Sequence, residues 1–372
     1  MEADTLDEIG KPLVINRKDL LSTGSTLLNL ACTGDPSGGF LCGKYYFLVG
    51  DSASGKTFLS MTCFAEATIN PRFKQHRLIY DNIEDGMLMD LDTLFNEEVA
   101  DRVEPPSRNG DTPVYSDTIE SFYYHLDDAI DDGRPFIYVL DSMDALDSEA
   151  ADKKFGLNKK AFRKKQARQR GEASEGEKEE KVAGSYGDGK AKKNSEGMRK
   201  AMKGLRKTGS ILIVLSQTRD DIGAQYAGTK TRAGGRALRF YATTEIWSSV
   251  AMQLKKNVND IERKVGVRVK LAVRKNRITG KLADVETDIY PSFGIDDLGT
   301  CVDYLVEEGW WPQPKQTINA KELGIEATRD KLIRVIEKRG AEKQVQAICG
   351  ACWKAVDDAC ALKRKNRYQQ ET

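Results

Sequence analysis

The chain has 372 residues, of which 40% are hydrophobic and 31% are charged, and its formal net charge is +1. This length allows one large core with appendages, so two or three domains are expected. No apolar run approaches the roughly 20 residues that a transmembrane helix needs, and the acidic first residues are unlike a signal peptide. Because the charges nearly cancel, affinity for a polyanion would have to come from local basic patches.

The seven cysteines and two histidines restrict the covalent and metal chemistry open to the chain. The cysteines lack the spacing of a disulfide framework, which is typical of free thiols in a reducing cytoplasm. Cys349 and Cys352 form a Cys-x-x-Cys pair without a second pair or a histidine at zinc-ligand spacing, so we interpret them as helix packing. With only two histidines, the sequence argues against histidine-centred catalysis.

In chain order, residues 1–20 predict a short polar arm, and residues 22–30 have helical spacing of apolar residues. The next segment matches the P-loop pattern Gly-x-x-x-x-Gly-Lys-Ser/Thr. Its residues are Gly50, Asp51, Ser52, Ala53, Ser54, Gly55, Lys56 and Thr57. An apolar run at 45–49 predicts a strand before this loop, and residues 58–67 predict a helix after it, which is the setting that the motif requires.

The P-loop predicts that the chain binds a nucleoside triphosphate. Backbone N–H groups at the loop and the helix start can surround phosphate oxygens, and the helix dipole favours anions there. Glycine at position 55 lets the backbone come close, Lys56 would reach the β- and γ-phosphates, and the Thr57 hydroxyl would hold Mg²⁺. A Gly/Ser turn with a chance lysine is the simpler interpretation, and the complete match in its strand–loop–helix setting argues against it.

From about residue 45 to residue 304, strand-like apolar runs alternate with helical segments. The runs include 78–80, 136–140, 211–215 and 243–247. This alternation predicts an α/β fold with a mostly parallel central sheet covered on both faces. Residues 265–273 and 281–289 then predict two adjacent strands joined by a turn at Thr279-Gly280.

Two segments depart from the alternation. Residues 151–195 have almost no apolar periodicity and carry basic and acidic blocks, which predicts a flexible charged loop insertion. After residue 311 a separate region begins, with helical patterns at 323–335 and 345–362 and a basic end. The sequence therefore predicts a core over 21–311 and a small helical, basic C-terminal region over 312–372.

Acidic residues follow two of the predicted strands. Asp141 ends the apolar run at 136–141, where an aspartate beside a P-loop holds Mg²⁺ directly or through water. The preceding strand ends in an acidic turn. We select its Glu84 as the candidate base that orients an attacking water, with Asp81 and Asp85 as alternatives. A solvated acidic turn without a catalytic role is the other interpretation.

Taken together, these motifs resemble the RecA family of DNA recombinases, in the style of bacterial RecA and the strand-exchange proteins of T-even-type phages. The resemblance runs from about residue 21 to residue 310 and implies a RecA-like P-loop NTPase core. Besides the P-loop, the segments that support it are 21–25, 215–219, 234–242, 275–277 and 295–309. One departure is that two residues separate Asp81 from Glu84, where the family usually has one.

The resemblance implies roles for particular residues in ATP hydrolysis. Gln217, at a strand end, would sense the γ-phosphate and pass the signal to DNA-binding loops. Lys275 and Arg277 lie two apart on a predicted strand and so point the same way, toward a neighbouring subunit's ATP. A solvated basic strand face is the simpler interpretation of this pair. The candidate catalytic set is Lys56, Glu84, Gln217, Lys275 and Arg277.

The resemblance also implies two DNA-binding loops. The first would lie between the strand of Asp141 and the helix at 198–205, with the 151–195 stretch as an enlarged version of it, and the second would be the segment 218–235. The segment 218–235 is rich in Gly, Thr and Arg and cannot pack as a core, so it could become ordered on a polyanion. Cations with an aromatic face are the two ingredients of single-strand binding. The candidate DNA-binding residues are Lys192, Arg199, Arg219, Tyr226, Lys230, Arg232, Gly234, Gly235 and Arg236. A mobile surface loop and a disordered insert are the alternatives.

The expected function is a DNA-dependent ATPase that forms filaments on single-stranded DNA and catalyses homologous pairing and strand exchange. ATP and Mg²⁺ are the expected cofactors. Single-stranded DNA, duplex DNA and further copies of the chain are the expected partners, with no membrane. A ring helicase with the same core and a non-motor recombinase regulator are the alternatives. A small-molecule kinase would leave Lys275 and Arg277 unexplained.

Overall fold

The computed structural model describes residues 15–86, 89–170, 188–220, 230–232 and 235–364. The strands of these ranges are β1 (Leu20–Leu21), β2 (Phe40–Leu41), β3 (Tyr45–Gly50), β4 (Arg77–Asn82), β5 (Val103–Glu104), β6 (Ser107–Asn109), β7 (Thr112–Val114), β8 (Phe136–Asp141), β9 (Ile211–Asp220), β10 (Lys230–Arg232), β11 (Thr244–Val258), β12 (Ile261–Asn276), β13 (Asp284–Tyr290), β14 (Gly294–Ile295), β15 (Ile318–Ala320) and β16 (Ile325–Ala327). The α-helices are α1 (Thr26–Thr33), α2 (Lys56–Ile69), α3 (Leu91–Leu94), α4 (Glu97–Arg102), α5 (Ile119–Asp131), α6 (Glu149–Gln169), α7 (Asp188–Thr208), α8 (Gly235–Tyr241), α9 (Asp297–Glu307), α10 (Arg329–Arg339) and α11 (Glu342–Cys360). Within the same ranges, no helix is both long and apolar enough to span a membrane.

One large sheet organises these elements. Its strand order is β14-β13-β12-β11-β3-β9-β8-β4-β5, and β10 pairs with β9. The strands from β11 to β5 run parallel to one another. The remaining strands of the sheet, β12, β13, β14 and β10, pair antiparallel. This arrangement confirms the predicted α/β fold with a mostly parallel central sheet.

Alternate residues of the central strands enter two hydrophobic layers on opposite faces of the sheet. In β3, Tyr46 and Leu48 enter one layer, while Tyr45, Phe47 and Val49 enter the other. Buried residues of α1, α2, α9, α10 and α11 complete the first layer, and those of α5, α7 and α8 complete the second. Because a strand points successive side chains to opposite faces, both layers require the near-continuous apolar runs seen in the sequence.

Local sequence signals set several helix ends. The Ser25 side chain accepts a hydrogen bond from the Leu28 N–H at the start of α1, and the helix ends at Gly34, whose φ of 74° is left-handed. At the start of α5, Thr118 and Ser121 form a capping box. Such caps satisfy backbone groups that have no partner inside the helix.

The C-terminal region packs on the main core. Leu332 of α10 and Val345 of α11 belong to the same hydrophobic cluster as the first sheet layer. The half-buried Asp297 carboxylate accepts hydrogen bonds from the Thr26 N–H (2.6 Å), the Thr26 hydroxyl (2.7 Å) and the Gln346 amide (3.2 Å). Burial raises the pKa of Asp297. The boundary predicted after residue 311 is therefore not a break in packing.

Two predicted C-terminal helices differ from the structure in extent. The pattern at 323–335 spans the end of a short 3₁₀ turn, strand β16 and only then α10. The pattern at 345–362 corresponds to α11, in which Cys349 and Cys352 are buried. The sequence interpretation of these two cysteines as packing residues agrees with this placement.

The segment 151–195 is more regular than the predicted flexible loop. Residues 151–169 lie in α6, and residues 188–195 lie in the first turns of α7. The prediction relied on apolar periodicity, whereas α6 is rich in Ala, Lys, Arg and Gln, which have high intrinsic helix propensity. The prediction of an irregular loop was therefore wrong for these described residues.

Strands β11 and β12 form a long antiparallel ribbon that the sequence predicted only in part. β11 pairs with β3 from Thr244 to Ser248 and then continues to Val258, beyond the edge at which β3 ends. The turn at the tip is formed by Asn259 and Asp260, whose φ angles of 55° and 59° are left-handed. Most side chains in the outer half of the ribbon are exposed, so the apolar pattern that marks a core strand is missing there.

We predict that Trp311 contributes far more to stability than its neighbour Trp310. Trp311 is fully buried in the core, whereas Trp310 is half-buried. Each indole N–H donates to a different carboxylate oxygen of Glu322, at 2.7 Å and 2.8 Å respectively. Trp311→Ala should lower the free energy of unfolding by about 3–5 kcal/mol, and Trp310→Ala by about 1 kcal/mol. Urea unfolding of both variants tests this, and equal losses would contradict the packing described.

Candidate nucleotide and nucleic-acid site

The P-loop connects β3 to α2 at the centre of the sheet. Gly55 precedes α2 with a left-handed φ of 84°, and a Cβ there would lie 2.7 Å from Ile289 Cδ1. A Cβ on Gly50 would lie 2.4 Å from the Ser248 carbonyl oxygen of the neighbouring strand. Both positions therefore require glycine, one for its backbone conformation and one for the close approach of β11.

The Lys56 side chain folds back so that its ammonium group contacts the first residues of the P-loop. Its Nζ donates to the carbonyl oxygens of Gly50 at 2.9 Å and Asp51 at 2.7 Å. Burial lowers the pKa of Lys56, while the nearby carboxylates, Asp141 foremost, act in the opposite direction. A buried cation at a helix start that also offers free N–H groups can bind an anionic phosphate.

Two hydroxyl groups converge on Asp141. The Thr57 hydroxyl donates to Asp141 Oδ2 at 2.6 Å, and the Tyr80 hydroxyl donates to the same oxygen at 2.7 Å. Burial and the Asp141 charge raise the pKa of Tyr80, so its hydroxyl remains a donor. A threonine hydroxyl beside an aspartate is a donor set that suits Mg²⁺, which prefers oxygen ligands and keeps several waters. These residues therefore fit the metal expected from the sequence.

Glu84 lies in the turn after β4, and its carboxylate reaches the same edge of the sheet. Its Oε1 accepts a hydrogen bond from the Ser142 hydroxyl. The Gln217 amide nitrogen donates to Glu84 Oε1 at 3.1 Å and to Oε2 at 3.3 Å. The turn after Asn82 thus brings Glu84 to Gln217 despite the additional residue between Asp81 and Glu84.

Asp81 has a different environment from Glu84. It is fully buried, and its carboxylate accepts from the Ser116 N–H (2.9 Å), the Ser116 hydroxyl (2.6 Å) and the Tyr138 hydroxyl (2.7 Å). These bonds fix Asp81 as a structural acceptor, out of reach of an attacking water. Asp85 is exposed with a left-handed φ of 49°. Among the three acidic candidates, Glu84 is the one bonded to Gln217.

Gln217 is held from two sides at the end of the backbone pairing between β9 and β3. Its N–H donates to Asp144 Oδ2 at 2.6 Å, while its side chain contacts Glu84. Residue 217 lies directly opposite Gly50 in the parallel register. In this position the Gln217 side chain is close enough to the P-loop for a bound ligand to change its hydrogen bonds.

Lys275 and Arg277 contact the carbonyl end of α8. Lys275 Nζ donates to the Arg239 oxygen at 2.5 Å and to the Phe240 oxygen at 3.0 Å. The Arg277 guanidinium donates to the Phe240 oxygen at 2.7 Å and lies 5.6 Å from the Phe240 ring centroid. Cations at a helix C-terminus stabilise its unpaired carbonyls. Within one chain the pair therefore caps α8.

The candidate DNA-binding residues occupy the elements around the second loop. Lys192 and Arg199 are exposed on α7, and Arg236 is exposed on α8, which packs against α7. Gly235 is the first residue of α8. Arg219, Lys230 and Arg232 lie in the β9–β10 pair, in which Thr218 is opposite Arg232. Tyr226 and Gly234 lie outside the described residues.

Two exposed aromatic residues of α6 were not identified from the sequence. Phe155 is 67% exposed and Phe162 is 60% exposed, among the lysines and arginines of that helix. Residues seven apart lie on the same face of an α-helix. Two aromatic residues seven apart in a basic segment are a sequence pattern from which this exposed aromatic face could have been predicted. Aromatic faces among cations are suited to single-stranded nucleic acid.

An apolar cavity beside the P-loop was also not predicted. Its volume is about 190 Å³, and its lining includes Phe58, Met89, Val267, Ile289 and Pro291. Phe58 follows the P-loop threonine directly. Apolar pockets beside a phosphate-binding loop can accept a flat, hydrophobic ring. The lining residues come from segments far apart in the chain, so no local pattern indicated the cavity.

We predict that Gly50→Ala weakens nucleotide binding at least tenfold, since the new Cβ would have to displace the Ser248 carbonyl and with it the P-loop. The matched control is Gly86→Ala, because Gly86 is also near the site but its nearest neighbour would be Glu84 Cβ at 4.0 Å. Titration with a fluorescent ATP analogue measures both dissociation constants. Equal affinities of the two variants would contradict the close approach at Gly50.

Comparison with known proteins shows what this chain is similar to. The RecA N-terminal domain family matches residues 172–296. Protein RecA of Chlorobaculum tepidum is 27% identical over 303 residues, which cover 81% of this chain and 74% of the relative. Protein RecA of Thermus thermophilus is 25% identical over 366 residues, covering 90% and 88%. Protein RecA of Gloeobacter violaceus is 31% identical over 173 residues, covering 44% of each. With the P-loop, Asp141 and Gln217 at one edge of a parallel sheet, the chain is similar to RecA proteins over most of its length.

Proposed function

We propose that this protein is a DNA-dependent ATPase of recombination and repair that assembles on single-stranded DNA and promotes homologous pairing and strand exchange. The observation that carries the proposal is the contact between the Gln217 amide and the Glu84 carboxylate. It joins the candidate base for hydrolysis to the strand that leads into the candidate DNA loop.

ATP would bind at the P-loop edge of the sheet. The N–H groups of the loop and Lys56 would hold the phosphates, and the apolar cavity that begins at Phe58 would accept the adenine ring. Mg²⁺, held through Thr57 and Asp141, would supply charge neutralisation for the phosphates. Tyr80 would keep the Asp141 carboxylate oriented by the hydrogen bond it donates.

Glu84 would orient the attacking water. Its carboxylate already has two donors, Ser142 and Gln217, which restrict its position. Gln217 would change this contact when its amide turns toward a γ-phosphate. Hydrolysis and the conformation of the 218–235 segment would thereby be linked, and the linkage must act equally in both directions for binding.

The position of Lys275 and Arg277 supports a site shared between subunits. Lys275 pairs with Glu245, which pairs with Phe47, three residues before the P-loop begins. Lys275 is therefore level with the middle of β3, about 10 Å along the strand from the P-loop, and Arg277 lies two residues farther away. In this proposal the two cations contact a triphosphate bound on a neighbouring copy. Head-to-tail contacts of this type that do not close give a helical filament.

The DNA path would run along α6, α7, the 218–235 segment and α8. Exposed cations on these elements, including Arg199 and Arg236, would contact phosphates and release counterions. Phe155 and Phe162 would offer faces for base stacking. Binding should accordingly weaken steeply as salt increases.

We predict that Lys275→Ala/Arg277→Ala lowers DNA-stimulated ATP hydrolysis at least 100-fold while ATP still binds, because a cation that reaches across to a transferring phosphate acts like an arginine finger. The control is Arg274→Ala, since Arg274 is an exposed neighbour that contacts Asp284 at 3.7 Å. The measurement is ATP hydrolysis with and without single-stranded DNA at low and moderate salt. A rate in the unaltered protein that does not respond to DNA would overturn the proposed function and favour the regulator.

A mixing experiment separates a shared site from a site within one chain. The Lys275→Ala/Arg277→Ala chain keeps an intact P-loop, and a Lys56→Ala chain keeps both cations. Mixed on DNA, the two inactive chains should regain part of the activity, because some interfaces combine the intact halves. No recovery would contradict the shared site. Electron microscopy of the same samples distinguishes filaments from the rings of a helicase.

A further inference from the structure

The P-loop carries a carboxylate whose role the nucleotide site does not explain. Asp51 follows Gly50 directly, and its backbone oxygen accepts hydrogen bonds from Lys56 Nζ (2.7 Å) and the Ser54 hydroxyl (2.7 Å). Its side-chain Oδ1 accepts a hydrogen bond from the Thr218 hydroxyl. A negative side chain in a loop that binds phosphates opposes that binding unless its charge is directed and compensated.

The Asp51–Thr218 contact extends the pairing of two strands past its last backbone rung. Gly50 of β3 and Gln217 of β9 are the final paired residues of the parallel register. Asp51 is the first residue after β3 and Thr218 is the next residue of β9, and their side chains make the next link. Both residues are half-buried. The contact therefore lies between the start of the P-loop and the start of the 221–229 segment.

The contact is separate from the one made by Gln217. Gln217 is bonded to Glu84 and Asp144, neither of which belongs to the P-loop. Thr218 is bonded to the P-loop itself. The end of β9 is thus tied to the nucleotide site at two neighbouring residues through different acceptors.

We propose that Thr218 is a positioning residue and that its bond to Asp51 forms a latch between the P-loop and the second DNA loop. Phosphates bound beside Asp51 add negative charge next to its carboxylate, which makes that carboxylate more basic and therefore a stronger acceptor for the Thr218 hydroxyl. Nucleotide binding then tightens the latch and holds the first residues of the DNA loop. By reciprocity, DNA that orders the loop holds Asp51 and increases ATP affinity.

This inference rests on the proposed function, because it requires ATP and DNA to bind at these two sites. The test measures the ATP dissociation constant with and without single-stranded DNA at fixed salt, and the ratio of the two constants is the coupling. Thr218→Val removes the hydroxyl at nearly constant shape, and Thr218→Ser keeps it. We expect Thr218→Val to reduce the ratio about fivefold to tenfold, which is within the usual range of allosteric coupling, and Thr218→Ser to preserve it.

A double-mutant cycle assigns the effect to the pair. In an Asp51→Ala background, Thr218→Val should reduce the ratio no further, because the acceptor is already gone. An equal additional loss in that background would overturn the latch. So would equal ratios for Thr218→Val and Thr218→Ser.

The outcomes also separate this inference from the proposed function. If the unaltered protein shows coupling and Thr218→Val retains it fully, the latch is wrong and the proposed function stands. If the unaltered protein shows no effect of DNA on ATP affinity, the proposed function fails and the latch fails with it. The reciprocal measurement, DNA affinity with and without ATP, must give the same ratio and guards against a variant with altered folding.

Discussion

The parallel pairing of β3 with β9 is the constraint on which the candidate site depends. Its register places Gly50 opposite Gln217, and the pairing of β4 with β8 places Asn82 opposite Asp141. Since parallel strands end at one common edge, the P-loop, the candidate metal ligand Asp141 and the turn with Glu84 meet there. A shift of one residue in either register would turn every side chain of a strand to the other hydrophobic layer, so the burial of both faces maintains the geometry of the site.

The site concentrates negative charge around one buried lysine, and hydrogen-bond donors hold each carboxylate in position. Asp141 accepts from Thr57 and Tyr80, and Glu84 accepts from Ser142 and Gln217. Unpaired carboxylates at this spacing would repel one another and rise in energy. Because each carboxylate accepts hydrogen bonds from these donors, Asp141 and Glu84 form a preorganised set of oxygen ligands and acceptors around the place where phosphate would bind.

The candidate DNA loop at residues 218–235 lies between two sets of groups of the candidate ATP machinery. Its first residues follow Gln217 and Thr218, which are bonded to Glu84 and the P-loop. Its last residues lead into α8, whose carbonyl end is capped by Lys275 and Arg277. The proposed nucleotide contacts would therefore act at the start of this segment, in the same subunit, and at the end of the helix that follows it, in the neighbour. In the proposed filament, this arrangement would give a physical route for nucleotide state to alter DNA affinity.

The sequence by itself determined the features that depend on residues close together in the chain. The P-loop, the strand ending in Asp141 and the α/β alternation are local patterns, because a strand–loop–helix unit is built from consecutive residues. The helix at residues 151–169 also depends on local sequence, because Lys, Arg, Ala and Gln have high helix propensity. Apolar periodicity alone did not predict it. Only the tertiary structure separated Glu84 from Asp81. The donors that fix Asp81 are Ser116 and Tyr138, which lie 35 and 57 residues away in the chain. The Asp51–Thr218 bond spans 167 residues, and only the pairing of β3 with β9 brings its two side chains together.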